Sequence, residues 1–171
     1  MILGLDLSVR AAAAIAGPLS WDGDWTQLST KIVGEPLRKG ASERERIDRC
    51  VRLGVSLSAF AREHGVTDVY IEGYAYGQAT AAHTLGELGG LVRLGLMRTG
   101  IDLHVANMSS SRKLMCGTIP RSADKKAVVQ ATLRRAGAPA LILDSGDLCD
   151  AFVCLNWGMS ELGGYCFAVA A

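Results

Sequence analysis

The sequence lacks any run of about 18 consecutive apolar residues, so no segment is predicted to span a membrane. No basic region with a long apolar stretch precedes Asp6, and we expect no signal peptide. The five cysteines are an odd number and show neither C-x-x-C spacing nor pairing with histidine. They are typical of free thiols rather than of disulfides or a zinc site, which indicates a reducing, cytoplasmic compartment.

Two catalytic signatures are also missing. The chain has no G-x-x-x-x-G-K-[ST] phosphate loop and no G-x-S-x-G nucleophile elbow. Its 171 residues, 49% of them hydrophobic, supply enough apolar material for a sizeable core. No linker, repeat or low-complexity run divides the chain, and we predict one domain over residues 1–171.

The residue patterns predict a βββαβαβα order, with three antiparallel strands followed by two parallel additions. Asp22-Gly23 is a hairpin signal before the third strand, and Ser42 and Glu45 have capping-box spacing at a helix start. Asp144 is the expected N-cap of the last helix. The predicted strands span about 1–7, 11–17, 25–33, 66–71 and 101–106, and the helices about 42–63, 79–98, 109–115, 122–136 and 144–161. This is an α/β fold with a mixed five-stranded sheet.

Four carboxylates occupy positions where an acid is unexpected. Asp6 lies inside an apolar strand, where an uncompensated charge costs several kcal/mol, and Glu72 ends the fourth strand. Parallel pairing of these strands would bring the two together. Asp147 and Asp150 share one face of the last helix, although Asp147 alone also suits the helix dipole. Oxygen ligands without histidine or cysteine favour Mg²⁺ or Mn²⁺, so we predict a divalent-cation site.

Basic residues are concentrated in one stretch. Between Arg112 and Arg135 the chain has seven basic residues and one acid, a local net charge of +6 in a chain of net charge +1. A phosphate backbone would bind such a stretch, although a solvated helix face has the same composition. The basic residues are Arg112, Lys113, Arg121, Lys125, Lys126, Arg134 and Arg135.

Three acidic segments together resemble the RuvC-type Holliday junction resolvases of the RNase H-like superfamily. They are Gly4-Leu-Asp6-Leu-Ser8, Tyr70-Ile-Glu72-Gly73 and Asp147-Leu-Cys-Asp150-Ala151. The segments between them, His83–Val92 and Arg112-Lys113 followed by Ser122-Ala-Asp-Lys125, resemble the family in the same order. The resemblance therefore covers nearly the whole chain and implies an RNase H-like nuclease.

The resemblance also implies a site and a substrate. Asp6, Glu72, Asp147 and Asp150 would hold two Mg²⁺ or Mn²⁺ ions, and Lys125 would be the active-site lysine. A homodimer would cut opposed strands of a four-way DNA junction, with the glycine-rich helix 79–98 in its interface. Residues expected to contact DNA are Arg112, Lys113, Arg121 and Lys126, together with Tyr74 and Tyr76, either of which could stack on an unpaired base.

Two departures from the family pattern bear on these expectations. The position three residues after Glu72, where the family often has an aromatic, is Ala75, and the loop after Asp6 lacks the frequent proline-glycine. A divergent or phage-encoded resolvase, acting in the host cytoplasm, is as consistent with the sequence as a cellular one. The departures leave open both the cutting preference and any partnership with a branch-migration motor.

Other functions compete with junction resolution. The acidic residues would act only on the phosphate and do not determine the shape of the DNA substrate. A flap or fork nuclease, or a YqgF-like nuclease, is therefore consistent with the same four acids. A junction-binding scaffold without catalysis fits the same fold. Gly4–Ser8 also resembles actin-like and sugar-kinase domains, but those need two such domains, and 171 residues hold one.

Overall fold

The structure, a computed structural model, describes residues 1–8, 11–36, 38–73 and 79–168, with the side chains of 79–84 excepted. Five strands form one mixed sheet in the order β3-β2-β1-β4-β5. The first three strands pair antiparallel, whereas β4 runs parallel to both β1 and β5. This confirms the predicted sheet. The strands are β1 Ile2–Leu7, β2 Ala11–Gly17, β3 Ser29–Gly34, β4 Asp68–Glu72 and β5 Asp102–Ala106.

Six α-helices among the described residues cover the two faces of this sheet. The first two pack on one face, and the last, α6, lies on the other with α3, α4 and α5 around it. The predicted capping box at the start of α1 is formed, with the Ser42 and Glu45 side chains each accepting from the other's backbone N–H. The helices are α1 Glu43–Glu63, α2 Ala79–Met97, α3 Met108–Cys116, α4 Lys125–Arg135, α5 Ala140–Leu143 and α6 Gly146–Glu161.

Strand β1 contributes side chains to the hydrophobic cores on both faces of the sheet, because its side chains alternate between the two faces. Leu3 and Leu5 are fully buried against α1 and α2, whereas Ile2 joins the core around α6. Asp6 lies on the same side as Ile2 and is only 6% exposed. The alternation predicted from sequence therefore directs this carboxylate toward α6.

Helix α6 packs directly on the sheet because two glycines leave room for it. A Cβ atom at Gly4 would lie 2.1 Å from the Ala151 carbonyl oxygen and 2.4 Å from the Leu155 nitrogen. At Gly158, on the helix itself, a Cβ atom would lie 2.3 Å from the Tyr70 ring. The absent side chains thus let the middle of α6 lie against β1 and its last turn lie against Tyr70 of β4.

Two local predictions need correction. Strand β3 begins at Ser29, because Trp25–Gln27 forms a short 3-10 helix whose N-terminus is capped by the Asp24 side chain. The N-cap of α6 is Ser145 rather than Asp144, which instead ends the unpredicted helix α5. Asp147 is therefore the second residue of α6.

All five cysteines are free thiols, as the sequence predicted. Across the described residues, no helix combines the length and the apolar character needed to cross a membrane.

Gly4→Ala should destabilise the protein strongly, by about 3 kcal/mol or more, because backbone atoms of α6 rather than a flexible side chain would oppose the new methyl group. The matched control is Gly34→Ala at the exposed end of β3, where a Cβ would meet only the Ala11 Cβ atom at 3.9 Å. That change should leave stability unchanged or raise it by up to about 1 kcal/mol. Urea unfolding of both variants measures the difference, and equal stabilities would contradict the close β1–α6 contact.

Candidate acidic site

The four predicted carboxylates meet where β1 and β4 end. Leu5 pairs with Ile71 in parallel register, so Asp6 and Glu72 follow side by side and share a hydrogen bond. The first turns of α6 bring Asp147 and Asp150 within electrostatic reach of Asp6. We call Asp6, Glu72, Asp147 and Asp150 the acidic cluster.

Burial and mutual repulsion make this cluster unfavourable when every member is ionised. Burial is the main cause that raises the pKa of Asp6 to about 8, and the charges of Glu72, Asp150 and Asp147 raise it further. Burial also raises the pKa of Glu72, while its hydrogen bond from Asp6 opposes the shift. Asp6 therefore keeps its proton near neutral pH and donates it toward Glu72.

Two side chains of the protein neutralise Asp150, which is 3% exposed. The Arg112 Nη2 atom lies 2.8 Å from Oδ1 of Asp150, and the Lys126 Nζ atom lies 3.6 Å from Oδ2. Burial opposes the charge of Arg112, but the hydrogen bond and the charges of Asp150 and Glu72 outweigh it and raise the pKa of the guanidinium. The positively charged side chains of Arg112 and Lys126 thus already occupy the side of the acidic cluster formed by Asp150.

A basic pocket of about 280 Å³ adjoins the cluster, and Arg112 belongs to both. We define the basic pocket by the residues that line it, which are Ser109, Arg112, Lys113, Gly117, Thr118, Ile119, Arg121 and Lys125. The helix N-terminus at Lys125 places this lysine in the pocket, whereas its neighbour Lys126 approaches Asp150. The structure therefore separates the two lysines: Lys126 lies at the carboxylates, and Lys125 lies among the other cations.

Nothing in the residue pattern indicated that Arg112 pairs with a carboxylate. It also missed Cys154, which lies one helical turn after Asp150 on α6 and is fully buried. Burial and the charges of Asp6 and Glu72 hold the pKa of this thiol well above its usual value, so it stays neutral. Its position could have been predicted, because residues four apart on a helix share one face and Cys154 follows Asp150 by four residues.

The tyrosines proposed to stack on DNA, Tyr74 and Tyr76, lie outside the described residues. Lys113 and Arg121 are exposed at the basic pocket. They lie beside Arg112 and Lys125 in the lining of this pocket, and their contact with DNA stays a prediction.

The donor set suits a hard divalent cation, since all four predicted ligands are carboxylates and repel one another when ionised. In the part of the chain that the structure describes, no group of three or more histidine, cysteine or acidic side chains could hold a metal ion as arranged. In this arrangement Asp150 faces Arg112, and Asp6 is hydrogen-bonded to Glu72. The chemistry of the donors fits a metal, but their positions would have to adjust.

No protein-family model matches the sequence, and no curated protein matches it. Solved structures do. The structure of RuvC from Thermus thermophilus has a TM-score of 0.64 and 18% identity, covering 95% of this chain and 96% of that one. The structure of T. thermophilus RuvC in complex with a Holliday junction substrate has a TM-score of 0.62 and 14% identity, covering 95% of both chains. The chain therefore has the RuvC fold, as its sequence resemblance implied.

Asp6→Asn should change how stability depends on pH. The folded protein holds the Asp6 proton up to about pH 8, whereas the ordinary pKa is 3.8. The free energy of unfolding of the wild type should therefore fall as the pH rises from 3.8 to about 8. The fall is at most about 1.4 kcal/mol for each unit by which the two pKa values differ. Asparagine has no proton to lose, so the variant should be the more stable protein at high pH.

Urea unfolding in EDTA at about pH 5 and about pH 8.5 measures this difference. Asp144→Asn is the control, because Asp144 is exposed and outside the acidic cluster, and it should follow the wild-type profile. Parallel profiles for Asp6→Asn and the wild type would contradict the raised pKa.

Proposed function

We propose that this protein is a metal-dependent endonuclease that cuts branched DNA and resolves four-way junctions. The observation that carries the proposal is the adjacency of the buried acidic cluster and the basic pocket, with Arg112 in both. Acids supply ligands for a divalent cation, and the cations beside them supply contacts for the phosphates of the substrate. The shared fold supports junction DNA as substrate, since one of the similar RuvC structures is a complex with a Holliday junction.

The acidic cluster would hold one or two Mg²⁺ or Mn²⁺ ions through Asp6, Glu72, Asp147 and Asp150. Bound cations would lower the pKa of water and stabilise charge at the scissile phosphate. Asp6 would give up its proton on becoming a ligand; it is only 6% exposed, whereas Glu72 beside it is partly exposed. Because the neutral acid is stable near neutral pH, cation binding at Asp6 is coupled to proton release.

The basic residues position the substrate. Lys125, Lys113 and Arg121 offer a row of cations at the basic pocket, where a DNA backbone can pass beside the carboxylates. Lys126, next to Asp150, lies where it can contact the reacting phosphate. Hydrolysis then forms a bond from water oxygen to phosphorus as the P–O3′ bond breaks, leaving a 5′-phosphate and a 3′-hydroxyl.

Paired symmetric nicks need two such sites, and we propose a homodimer acting in the cytoplasm, or in a host cytoplasm if the protein is phage-encoded. Helix α2 is the proposed interface element. Added Cβ atoms at Gly86 and Gly90 would meet nothing within 4 Å, so this side of the helix leaves room for close approach by a second copy.

Cleavage of a labelled synthetic four-way junction in Mg²⁺ or Mn²⁺ tests the proposal. The wild type should introduce paired nicks at symmetric positions, whereas Asp6→Asn should bind the junction and leave it uncut. The reason is that this substitution removes a cation ligand and leaves the basic pocket intact. Asp144→Asn, three residues before Asp147 and outside the acidic cluster, should cut at the wild-type rate.

Linear duplex, flap and fork substrates define the specificity. Equal cutting of flaps or forks would reassign the protein as a general branched-DNA nuclease with the same site. Tight junction binding without cutting in either metal would leave a scaffold role. Loss of both binding and cutting in Asp6→Asn would mean that Asp6 is structural.

Lys125→Ala should slow junction cleavage by about tenfold to a hundredfold, because one charged contact to phosphate would be lost. Single-turnover cleavage at saturating enzyme separates this effect from weaker binding. The exposed Lys39, outside the basic pocket, provides a lysine-to-alanine control that should cut normally. An unchanged rate in Lys125→Ala would remove this lysine from the site.

A further inference from the structure

Arg112 makes fewer hydrogen bonds than a buried guanidinium can make. Its side chain is 15% exposed, and it donates from Nη2 to Asp150. Its Nε atom is buried and has no hydrogen-bond partner among the described residues. A guanidinium has five N–H donors, and leaving one unsatisfied in the interior is unfavourable. Arg112 therefore has unused capacity for a second anionic partner.

That second partner has a place to bind. Arg112 lines the basic pocket together with Lys113, Arg121 and Lys125, so a phosphate there would be surrounded by cations. The same guanidinium contacts Asp150, which the proposed function assigns to a divalent cation. A divalent cation at Asp150 and the present position of Arg112 would place two positive groups on one carboxylate.

We propose that Arg112 is an exchangeable counter-ion, which neutralises Asp150 in the metal-free protein and turns to a DNA phosphate in the basic pocket when Asp150 takes a divalent cation. The inference rests on the proposed function. It predicts that cation binding strengthens DNA binding, and by linkage that DNA strengthens cation binding. The protein would then assemble its cation site fully only when a phosphate is present to receive Arg112.

The first measurement is Mn²⁺ binding by titration calorimetry without DNA. Arg112→Gln should bind Mn²⁺ about tenfold more tightly than the wild type, because no guanidinium competes for Asp150. Arg112→Lys keeps the charge and should lie between them, and it replaces the glutamine variant if circular dichroism shows that variant unfolded. Arg121→Gln is the matched control, because Arg121 lines the same pocket; its Mn²⁺ affinity should stay within about twofold of the wild type.

The second measurement uses a short fluorescent single-stranded DNA in EDTA, where no cleavage occurs. Asp150→Asn should bind this DNA about tenfold more tightly than the wild type, because Arg112 is released to the basic pocket. Asp147→Asn removes an equal charge from the same cluster without releasing Arg112, so its gain should be smaller. In the double variant Asp150→Asn, Arg112→Gln most of the gain should disappear, leaving at most the contribution of Lys126, the other partner of Asp150 at 3.6 Å.

The outcomes separate the inference from the proposed function. If Arg112→Gln binds Mn²⁺ no better than the wild type, or if the double variant keeps the full gain in DNA affinity, Arg112 is a fixed partner of Asp150 and the exchange is wrong. If neither the wild type nor Arg112→Gln binds Mn²⁺, the proposed metal site is wrong and the exchange falls with it. Tighter Mn²⁺ binding together with loss of the gain in the double variant supports both.

Discussion

The close contact between α6 and β1 determines the geometry of the whole molecule. Because Gly4 has no side chain, the backbone of α6 lies against the strand, and the helix is buried along most of its length. The charged first turns of this otherwise apolar helix thereby reach the carboxyl end of the strand that carries Asp6. A larger residue at Gly4 would move the helix outward and pull the acidic cluster apart. Packing and chemistry thus depend on one absent side chain.

The charges of the site follow from that packing. Four acids held close together, with Asp6 and Asp150 buried, repel one another when ionised, and the structure relieves the repulsion in two ways. A proton stays on Asp6, shared with Glu72, and the cations Arg112 and Lys126 pair with Asp150. The proton can leave by ionisation of the acid, and the guanidinium is paired with Asp150 only noncovalently, so each can in principle exchange for another cation. The remaining repulsion lowers the stability of the protein without preventing folding, as is typical of functional sites.

The sequence predicted the parts of the site that follow from strand geometry. Alternation along β1 and parallel pairing with β4 suffice to place Asp6 beside Glu72, and both are readable from residue patterns. The Arg112–Asp150 pair was not predictable, because it depends on how α3 packs against α6. Neighbouring residues of a helix point about 100° apart. Sequence alone therefore could not tell which of Lys125 and Lys126 faces the carboxylates, nor whether Ser145 or Asp144 caps α6.

The distance along the chain between Asp6 and Asp150 has a consequence for biosynthesis. Strand β1 is translated well before α6, so the acidic cluster cannot assemble on a nascent chain until α6 has left the ribosome. Until then β1 has neither the helix that covers one of its faces nor the partner acids of α6. Polypeptides that stop before α6 therefore carry no assembled cluster, and translation itself delays its appearance.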